Sequence, residues 1–182
     1  MRMFHLIVLF LALLLLVPAC KMRMTDKEIS EVLRLNKLWL YGDPAGKLAD
    51  LSHANLSHAN LVGADLRDAN LSGARLERAL LVGADLRGAN LHHAELCGAD
   101  LSKANFAGAD LTEADLQGAD LRGADLSAAD LRHALLGYTT NVTDANLSGA
   151  NLTGQNLEDL KRRGAILDDP RSPIPKNSRM GE

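Results

Sequence analysis

The most constraining feature of the sequence is a strict period of five residues between positions 49 and 136. A leucine stands at every fifth position from Leu51 to Leu136, except that Phe106 replaces one of them. Ala lies two residues before each of these eighteen centres, and Asp or Asn lies between the two in fourteen repeats. An α-helix repeats every 3.6 residues and a β-strand every two, so neither matches this segment. The period predicts a tandem repeat array.

The odd number of residues in each repeat requires corners. Ala and Leu two positions apart lie on the same side of an extended segment, so both side chains can point inward. An unbroken strand would turn the next Ala and Leu outward, because five is odd. Gly holds the last position of eight of the eighteen repeats, where it favours a turn. We therefore expect short sides joined by corners, around a core of Leu and Ala.

Tandem Ala-(Asp/Asn)-Leu repeats of this kind resemble the pentapeptide-repeat family. The resemblance implies an all-β solenoid, a right-handed quadrilateral β-helix in which four repeats make one coil. After Leu136 the next centre is Val142, six residues on, and steps of five then resume as far as Leu157. We interpret the extra residue within 137–140 as a bulge at a corner. About 22 repeats over residues 49–158 predict five to six coils.

Both ends of the repeat array carry capping signals. Thr25 and Glu28 fit a capping box for a helix that ends near Leu40, so residues 20–48 are predicted to form an N-terminal capping helix and turn. Residues 159–167, which complete a short helix and return to the column, are predicted to cap the other end. Residues 168–182 contain three prolines and are expected to form a disordered tail. Caps of this kind cover the unpaired backbone groups of an open β-helix end.

The first twenty residues have the layout of an export signal. Arg2 precedes an uncharged run of mostly apolar residues at 6–19, which is shorter than the roughly 20 residues of a bilayer-spanning helix. The ending before Cys20 resembles a bacterial lipobox, whose cysteine is lipidated and becomes the mature N-terminus. We therefore predict a lipoprotein-type signal peptide at 1–19 and a membrane anchor on Cys20, in the periplasm or cell envelope. The alternative is translation from Met24, which would give a cytoplasmic protein.

The sequence contains no pattern that indicates catalysis or a bound cofactor. The numerous Asp residues occupy the position between Ala and Leu that the repeat itself assigns to Asp or Asn. A convex column offers no cleft in which such carboxylates could act as acid or base. Cys97 is a lone outward cysteine and is expected to be inert. We therefore predict a non-enzymatic protein with no catalytic residue and no cofactor.

Histidines are the candidate metal ligands. Residues twenty apart share a face when four repeats make a coil, so His53, His93 and His133 fall in one outward column at alternate coils. Alternate coils lie about 9–10 Å apart, whereas zinc needs ligands near 2 Å. His92 and His93 with Glu113 form the one compact cluster. The spacing favours solvated histidines, and no metal site is predicted.

Apolar residues at outward positions mark a candidate interaction site. Val62, Leu80 and Val82 fall on one outward face in adjacent coils, where polar side chains are expected. A small apolar patch of this kind is either a contact site for another protein or a simple ladder of aliphatic side chains between coils. The expected partner is an unidentified protein, with self-association into a homodimer as the alternative.

Together these features favour a non-enzymatic, exported, membrane-anchored protein-interaction scaffold. The alternative is a cytoplasmic mimic of duplex DNA that protects DNA gyrase. Some members of the family have that role, and residues 47–159 hold 16 Asp and Glu against 8 Lys and Arg. However, Leu fills nearly all centres here, whereas the gyrase-binding members mix in much Phe, and export would separate the protein from gyrase. Direct nucleic-acid binding is not expected of an acidic column.

Overall fold

A computed structural model describes residues 22–168 of the 182-residue chain. The predicted signal peptide, Cys20 and all of the predicted tail except Asp168 lie outside the described residues. The Asp168 carboxylate accepts the Gly149 amide N–H at 2.8 Å. Helix α1 spans Asp26–Leu40 and helix α2 spans Leu157–Arg162, one at each end of the repeat region. Neither described helix is long and apolar enough to cross a membrane. The sequence between them winds as a four-sided coil.

Parallel bridges join residues twenty positions apart and define the four sides of the coil. They run through the residue between Ala and Leu, beginning with Asp50 and Asn70. Each side contributes one bridged residue in each coil rather than an extended strand. We name the sides faces A, B, C and D after their first centres, which are Leu51, Leu56, Leu61 and Leu66. Later members of each face follow at steps of twenty, so four pentapeptides make one coil.

The core is a stack of leucines. Every centre from Leu51 to Leu131, Phe106 included, is at most 3 % exposed. Burying a leucine side chain contributes about 1.5–3 kcal/mol, so this stack supplies the main favourable term for folding. The alanines two residues earlier pack into the same core. The two-residue spacing of Ala and Leu therefore sets the inward side of each repeat, as predicted.

The corners lie at the last residue of each repeat. From His53 to His133 this residue has a positive φ of 55–69° in every repeat, whether or not it is Gly. The Ala N–H donates to the preceding Leu carbonyl across each corner, as in Ala94 to Leu91 at 2.9 Å. The corners predicted from the odd period are therefore confirmed.

The break in the repeat period is a one-residue bulge between faces B and C. Bridges change from a separation of 20 residues at Asp115 and Leu135 to 21 residues at Asp120 and Asn141. Thr140 takes the inward position of an alanine and is 2 % exposed. Its hydroxyl donates to a backbone carbonyl of the preceding coil at 2.7 Å. The predicted bulge is confirmed.

The coil ends one repeat earlier than the sequence predicts. Leu157, expected as the last inward centre, is 48 % exposed because it is the first residue of α2. Asn156 caps α2 by accepting the amide N–H of Asp159 at 3.0 Å, which turns the chain out of the coil. After α2 the chain returns to face D, where Ile166 bridges Asn146. The prediction that Leu157 is an inward centre was therefore wrong.

Helix α1 closes the N-terminal end of the coil. It begins with the predicted capping box of Thr25 and Glu28. Asn36 is fully buried, and its side chain accepts the Ala49 amide N–H at 2.8 Å and donates to the Asp65 carbonyl at 3.1 Å. A buried amide needs such partners, which explains why an Asn lies on the side of α1 whose Ile29, Val32 and Leu33 pack against the core. The helix thereby satisfies backbone groups of the first coil.

Candidate interaction surface

The Asp and Asn residues between Ala and Leu serve the backbone of the coil. Their Oδ1 atom accepts the amide N–H of the residue two positions on, as in Asp110 with Thr112 at 2.9 Å and Asn60 with Val62 at 3.2 Å. These Asx turns support the corners. The carboxylates are therefore structural groups of the repeat, which accounts for their number without any catalytic role.

Outward arginines pair with four of the nine Asp residues that lie between Ala and Leu. Four arginines each pair with the Asp two positions earlier on the same side, at N–O distances of 2.6–2.7 Å. Hydrogen bonds from the guanidinium groups hold the pKa values of the four carboxyls below their usual range. The negative charge along the column is therefore interrupted at four positions by a neighbouring positive charge. The pairs are Asp65 with Arg67, Asp85 with Arg87, Asp120 with Arg122, and Asp130 with Arg132.

Face C departs from this arrangement in its first two coils. Val62 and Leu80 are 55 % and 44 % exposed, and Val82 is half-buried beside them. A hydrogen bond from the Gly63 amide to the Val82 carbonyl, at 3.0 Å, aligns the two coils at the valines. Leu80 bridges Asn60 in the same column. We call Val62, Leu80 and Val82 the apolar patch.

The apolar patch borders a glycine corner towards face D and polar residues in the following coil of face C. Gly63 and Gly83 form the corner to face D, and a Cβ atom built on either would meet no described atom within 4 Å. In the following coil of face C, the Ser102 hydroxyl donates to Asp100 at 2.7 Å. Arg78 stands at the corner between faces B and C. A partner surface can therefore reach the patch across the flat glycine corner.

Leu80 also lacks a hydrogen bond that its neighbours in the bridge column make. Asn60 and Asp100, one coil before and one coil after, each accept the amide N–H of the residue two positions on. A leucine side chain has no acceptor for the corresponding amide of Val82. Leu80 is therefore an exposed apolar residue at a position whose structural role calls for Asp or Asn.

Face B holds the other three exceptions to the Asp or Asn rule. Arg75, Glu95 and Leu135 lie in one bridge column of this face. Arg75 pairs with Glu77 at 3.0 Å and with Glu95 at 3.3 Å, and Leu135 is 51 % exposed. Reading the repeats in fives did not reveal this column. Sorting the outward residues in steps of twenty would have found it.

Cys97 lies on face B among carboxylates. Partial burial, together with the carboxylates of Asp115, Glu77 and Glu95, raises the pKa of the Cys97 thiol to about 11. The thiol therefore stays protonated at neutral pH, and a protonated thiol is a poor nucleophile. These surroundings agree with the expectation of an inert cysteine.

One group of histidines comes together with a carboxylate. A ring nitrogen of His92, a ring nitrogen of His93 and a carboxylate oxygen of Glu113 lie within 4.8 Å of one another. Within residues 22–168 no second group of three His, Cys, Asp or Glu side chains meets this closely, so His53 and His133 lie outside it. The cluster is separate from the apolar patch, because it lies at the corner between faces A and B.

Comparison with protein families gives one match. The model described as pentapeptide repeats matches in eight copies, over residues 49–88, 64–102, 89–127, 99–137 and 140–169. The comparison with curated proteins gives no match.

Similar solved structures come from plants and bacteria. A pentapeptide repeat protein of the Arabidopsis thaliana thylakoid lumen is 27 % identical over 64 % of this chain and 90 % of that chain, with a TM-score of 0.42. A pentapeptide repeat protein of Nostoc PCC 7120 is 31 % identical over 74 % of this chain and 93 % of that chain, with a TM-score of 0.28. QnrB1, a plasmid-mediated fluoroquinolone resistance protein, is 19 % identical over 66 % of this chain and 79 % of that chain, with a TM-score of 0.31. Because the family model covers more than half of the sequence, the chain belongs to the pentapeptide-repeat family.

Proposed function

We propose that this chain is a non-enzymatic, exported scaffold that presents the apolar patch to a protein partner. In this proposal the repeats form a right-handed quadrilateral β-helix, and lipidated Cys20 holds it to a membrane. Leu80 is the observation that carries the proposal. It exposes apolar surface and forgoes the hydrogen bond made by Asn60 and Asp100 in the same column, so it has no evident use within the column. Contact with another molecule would bury this exposed apolar side chain.

The rigidity of the coil supports a binding role for the apolar patch. The patch backbone is held by hydrogen bonds to the neighbouring coils, including Leu61 N–H to the Leu80 carbonyl at 2.8 Å and Leu80 N–H to the Ala59 carbonyl at 2.9 Å. A surface that is already ordered loses little conformational entropy when a partner binds. A small patch on a stiff coil can therefore contribute usefully to affinity.

The position of the apolar patch fits an anchor at the N-terminus. Val62, Leu80 and Val82 lie in the first two coils, next to the end of the column that α1 covers. Only five residues separate Cys20 from the start of α1 at Asp26. A lipid on Cys20 would therefore hold the patch close to the membrane surface. We expect a partner that is itself a membrane protein or is attached to the same membrane.

Site-specific photo-cross-linking tests the patch. A photoreactive amino acid at position 62 is expected to cross-link a partner in cells. The same residue at position 122, which is equivalent on face C but lies three coils further on, is the matched control and is expected not to do so. Leu80→Asn should abolish the cross-link from position 62. Equal cross-linking from both positions, or none from position 62, would contradict the proposal. A cross-link to a second copy would replace the foreign partner by a homodimer.

The mass of the protein isolated from its own host tests export and anchoring. A membrane fraction containing a chain that begins with diacylglyceryl-modified Cys20 is the expected result. An unmodified chain that begins at Met24 or Thr25 and is recovered from the cytosol would overturn it. This result is independent of the patch, so the two parts of the proposal can fail separately.

The four Asp–Arg pairs weigh against the alternative of a cytoplasmic DNA mimic. Mimicry of duplex DNA needs regular negative charge, whereas these carboxylates each have a guanidinium partner at 2.6–2.7 Å. A gyrase supercoiling assay tests the alternative directly. We expect no protection of gyrase from its inhibitors even with the protein in large molar excess over the enzyme, and protection would restore the alternative.

A further inference from the structure

The cluster of His92, His93 and Glu113 has the composition of a transition-metal site. Two consecutive histidines occupy the corner between faces A and B in the third coil, and Glu113 occupies the same corner one coil further on. One ligand atom from each of the three lies within 4.8 Å of the other two. Imidazole nitrogen with a single carboxylate oxygen is the donor set that borderline divalent ions such as Zn²⁺, Ni²⁺ and Cu²⁺ prefer.

The distance between the His93 and Glu113 ligand atoms equals the separation expected of two ligand atoms on one zinc ion. His93 Nε2 lies 3.4 Å from Glu113 Oε2. Two ligand atoms that are each about 2.1 Å from a tetrahedral zinc lie about 3.4 Å from one another. A metal ion can therefore join these two side chains with little rearrangement. The objection from the spacing of alternate coils does not apply, because these residues lie in adjacent coils.

Hydrogen bonds fix His92 in the tautomer that binds metal. His92 Nδ1 lies 2.7 Å from Thr112 Oγ1 and 3.1 Å from the Thr112 carbonyl. The Thr112 hydroxyl donates its only proton to Asp110 at 2.6 Å, so it accepts from His92, and a carbonyl can only accept. His92 therefore carries its proton on Nδ1 and has a lone pair on Nε2. A ligand histidine commonly donates its other N–H to such an oxygen, which orients the ring.

The hydrogen-bonded backbone of the coil fixes the positions of His93 and Glu113 relative to one another. His93 N–H donates to the Thr112 carbonyl at 3.0 Å, and Glu113 N–H donates to the Arg132 carbonyl at 3.0 Å. Both residues have the positive φ of a corner, 56° and 59°. The site is thus built on two stacked corners rather than on a mobile loop. Ligands fixed by their scaffold in this way need little reordering on binding.

We propose that His92, His93 and Glu113 bind one divalent transition-metal ion, with Zn²⁺ as the reference ion. His92 Nε2, a ring nitrogen of His93 and a carboxylate oxygen of Glu113 are the protein ligands, and solvent completes the coordination. The ion would join the third and fourth coils on their outer surface. Ca²⁺ and Mg²⁺ are excluded as occupants because they require six or more ligands, mainly oxygen. This site does not depend on the proposed function of the apolar patch.

Zinc titration of the full chain, purified in mild detergent without a histidine tag, tests the proposal. Competition with a chromophoric chelator should give one Zn²⁺ per chain, and an excess of Ca²⁺ or Mg²⁺ should not displace it. His92→Ala and Glu113→Gln should each weaken binding at least tenfold. The matched control is His133→Ala, in the same corner column one coil beyond Glu113, and it should change the affinity less than twofold. No saturable binding, or an equal loss in the control, would overturn the proposal.

Thermal unfolding gives a second readout that does not depend on the chelator. A ligand that binds only the folded state raises the melting temperature by mass action. Saturating Zn²⁺ should raise the melting temperature of the wild type and of His133→Ala by the same amount, and that of His92→Ala by less. All three side chains are outward and partly exposed, so the variants should fold without metal. A shift in His92→Ala as large as that of the wild type at the same Zn²⁺ concentration would contradict the assignment of the ligands.

Discussion

Leu80 and Asp120 occupy the same bridge column of face C and have opposite roles. Asp120 accepts the Arg122 amide N–H at 3.1 Å and pairs with the Arg122 guanidinium at 2.6 Å. Leu80 makes neither interaction and is 44 % exposed. The backbone is nevertheless the same, because the carbonyls of both accept an amide N–H from the preceding coil at 2.8 Å. The coil therefore tolerates the loss of an Asp side chain, which leaves the outward residue available for other roles.

The largest expected difference in stability is between an Asp substitution at Leu81, which points inward, and one at Leu80. Leu81 is fully buried in the core, whereas Leu80 points outward. Leu81→Asp should lower the free energy of unfolding by about 4 kcal/mol or more, because it places an unpaired charge among leucines. Leu80→Asp should fold normally. Thermal unfolding followed by circular dichroism checks both, and a cooperative melt of Leu81→Asp within a degree or two of wild type would contradict the inward assignment.

Acidification should weaken the coil through carboxyls such as Asp120 that pair with arginine, a contribution that Leu80 does not make. The arginine partners hold the pKa of Asp120, and of Asp65, Asp85 and Asp130, below the usual carboxyl value near 4. Because the folded state binds fewer protons than the unfolded state, this stability is complete above the unfolded pKa. It is lost as the pH falls through the lowered folded values.

Urea midpoints measured between pH 6 and pH 2.5 test this pH dependence. The midpoint should be nearly constant down to about pH 5 and then decline. Asp120→Asn keeps a side-chain acceptor for the Arg122 amide but has no charge, so it should lose less stability on acidification than the wild type. A midpoint that does not change down to pH 2.5 would show that the pairs have no effect on stability.

The substitution Asp120→Leu places at position 120 the same side chain that Leu80 has in an earlier coil of this column. The variant loses the hydrogen bond from the Arg122 amide, which contributes about 0.5–1.5 kcal/mol. The exposed ion pair with Arg122 should add little. We expect a lower urea midpoint with an unchanged denaturant slope. A loss several times larger would mean that the side chain, rather than the backbone ladder, maintains the coil.

At the corners, Gly is expected to be more stable than Ala, because the last residue of each repeat has a positive φ. Ala128 has a φ of 56°, a left-handed conformation that disfavours a Cβ atom. Ala128→Gly should therefore raise the free energy of unfolding by up to about 1 kcal/mol. Gly63→Ala, where a Cβ atom would meet no described neighbour within 4 Å, should lower it by a similar amount through backbone strain alone. Thermal melts of the two variants should move in opposite directions.

The inward half of this protein could be predicted from the sequence, and the outward half only in part. Ala and Leu repeat at fixed positions because the core accepts little else, so the period gave the core, the corners and the bulge. Leu157 was misassigned because it continues the five-residue count while Asn156 caps a helix there. The five-residue period does not indicate a capping hydrogen bond, so the end of the coil could not be predicted from it.

The outward sites depend on contacts between coils, which no local pattern contains. Val62, Leu80 and Val82 were found because the step of twenty places them on one face. The face B column of Arg75, Glu95 and Leu135 also follows from steps of twenty, which the count of five does not show. The tautomer of His92 depends on a hydroxyl twenty residues away that donates to a third residue. Such a chain of hydrogen bonds cannot be read from spacing.

The variant Leu80→Asn separates binding from folding and tests the role of the apolar patch most directly. Asn restores an acceptor for the Val82 amide, as Asn60 has for Val62, so the free energy of unfolding should stay equal or rise by up to about 1 kcal/mol. Photo-cross-linking from position 62 should be lost in the same protein. A less stable variant would show that Leu80 serves the coil. An equally stable variant that still cross-links its partner from position 62 would show that the patch is not the binding surface.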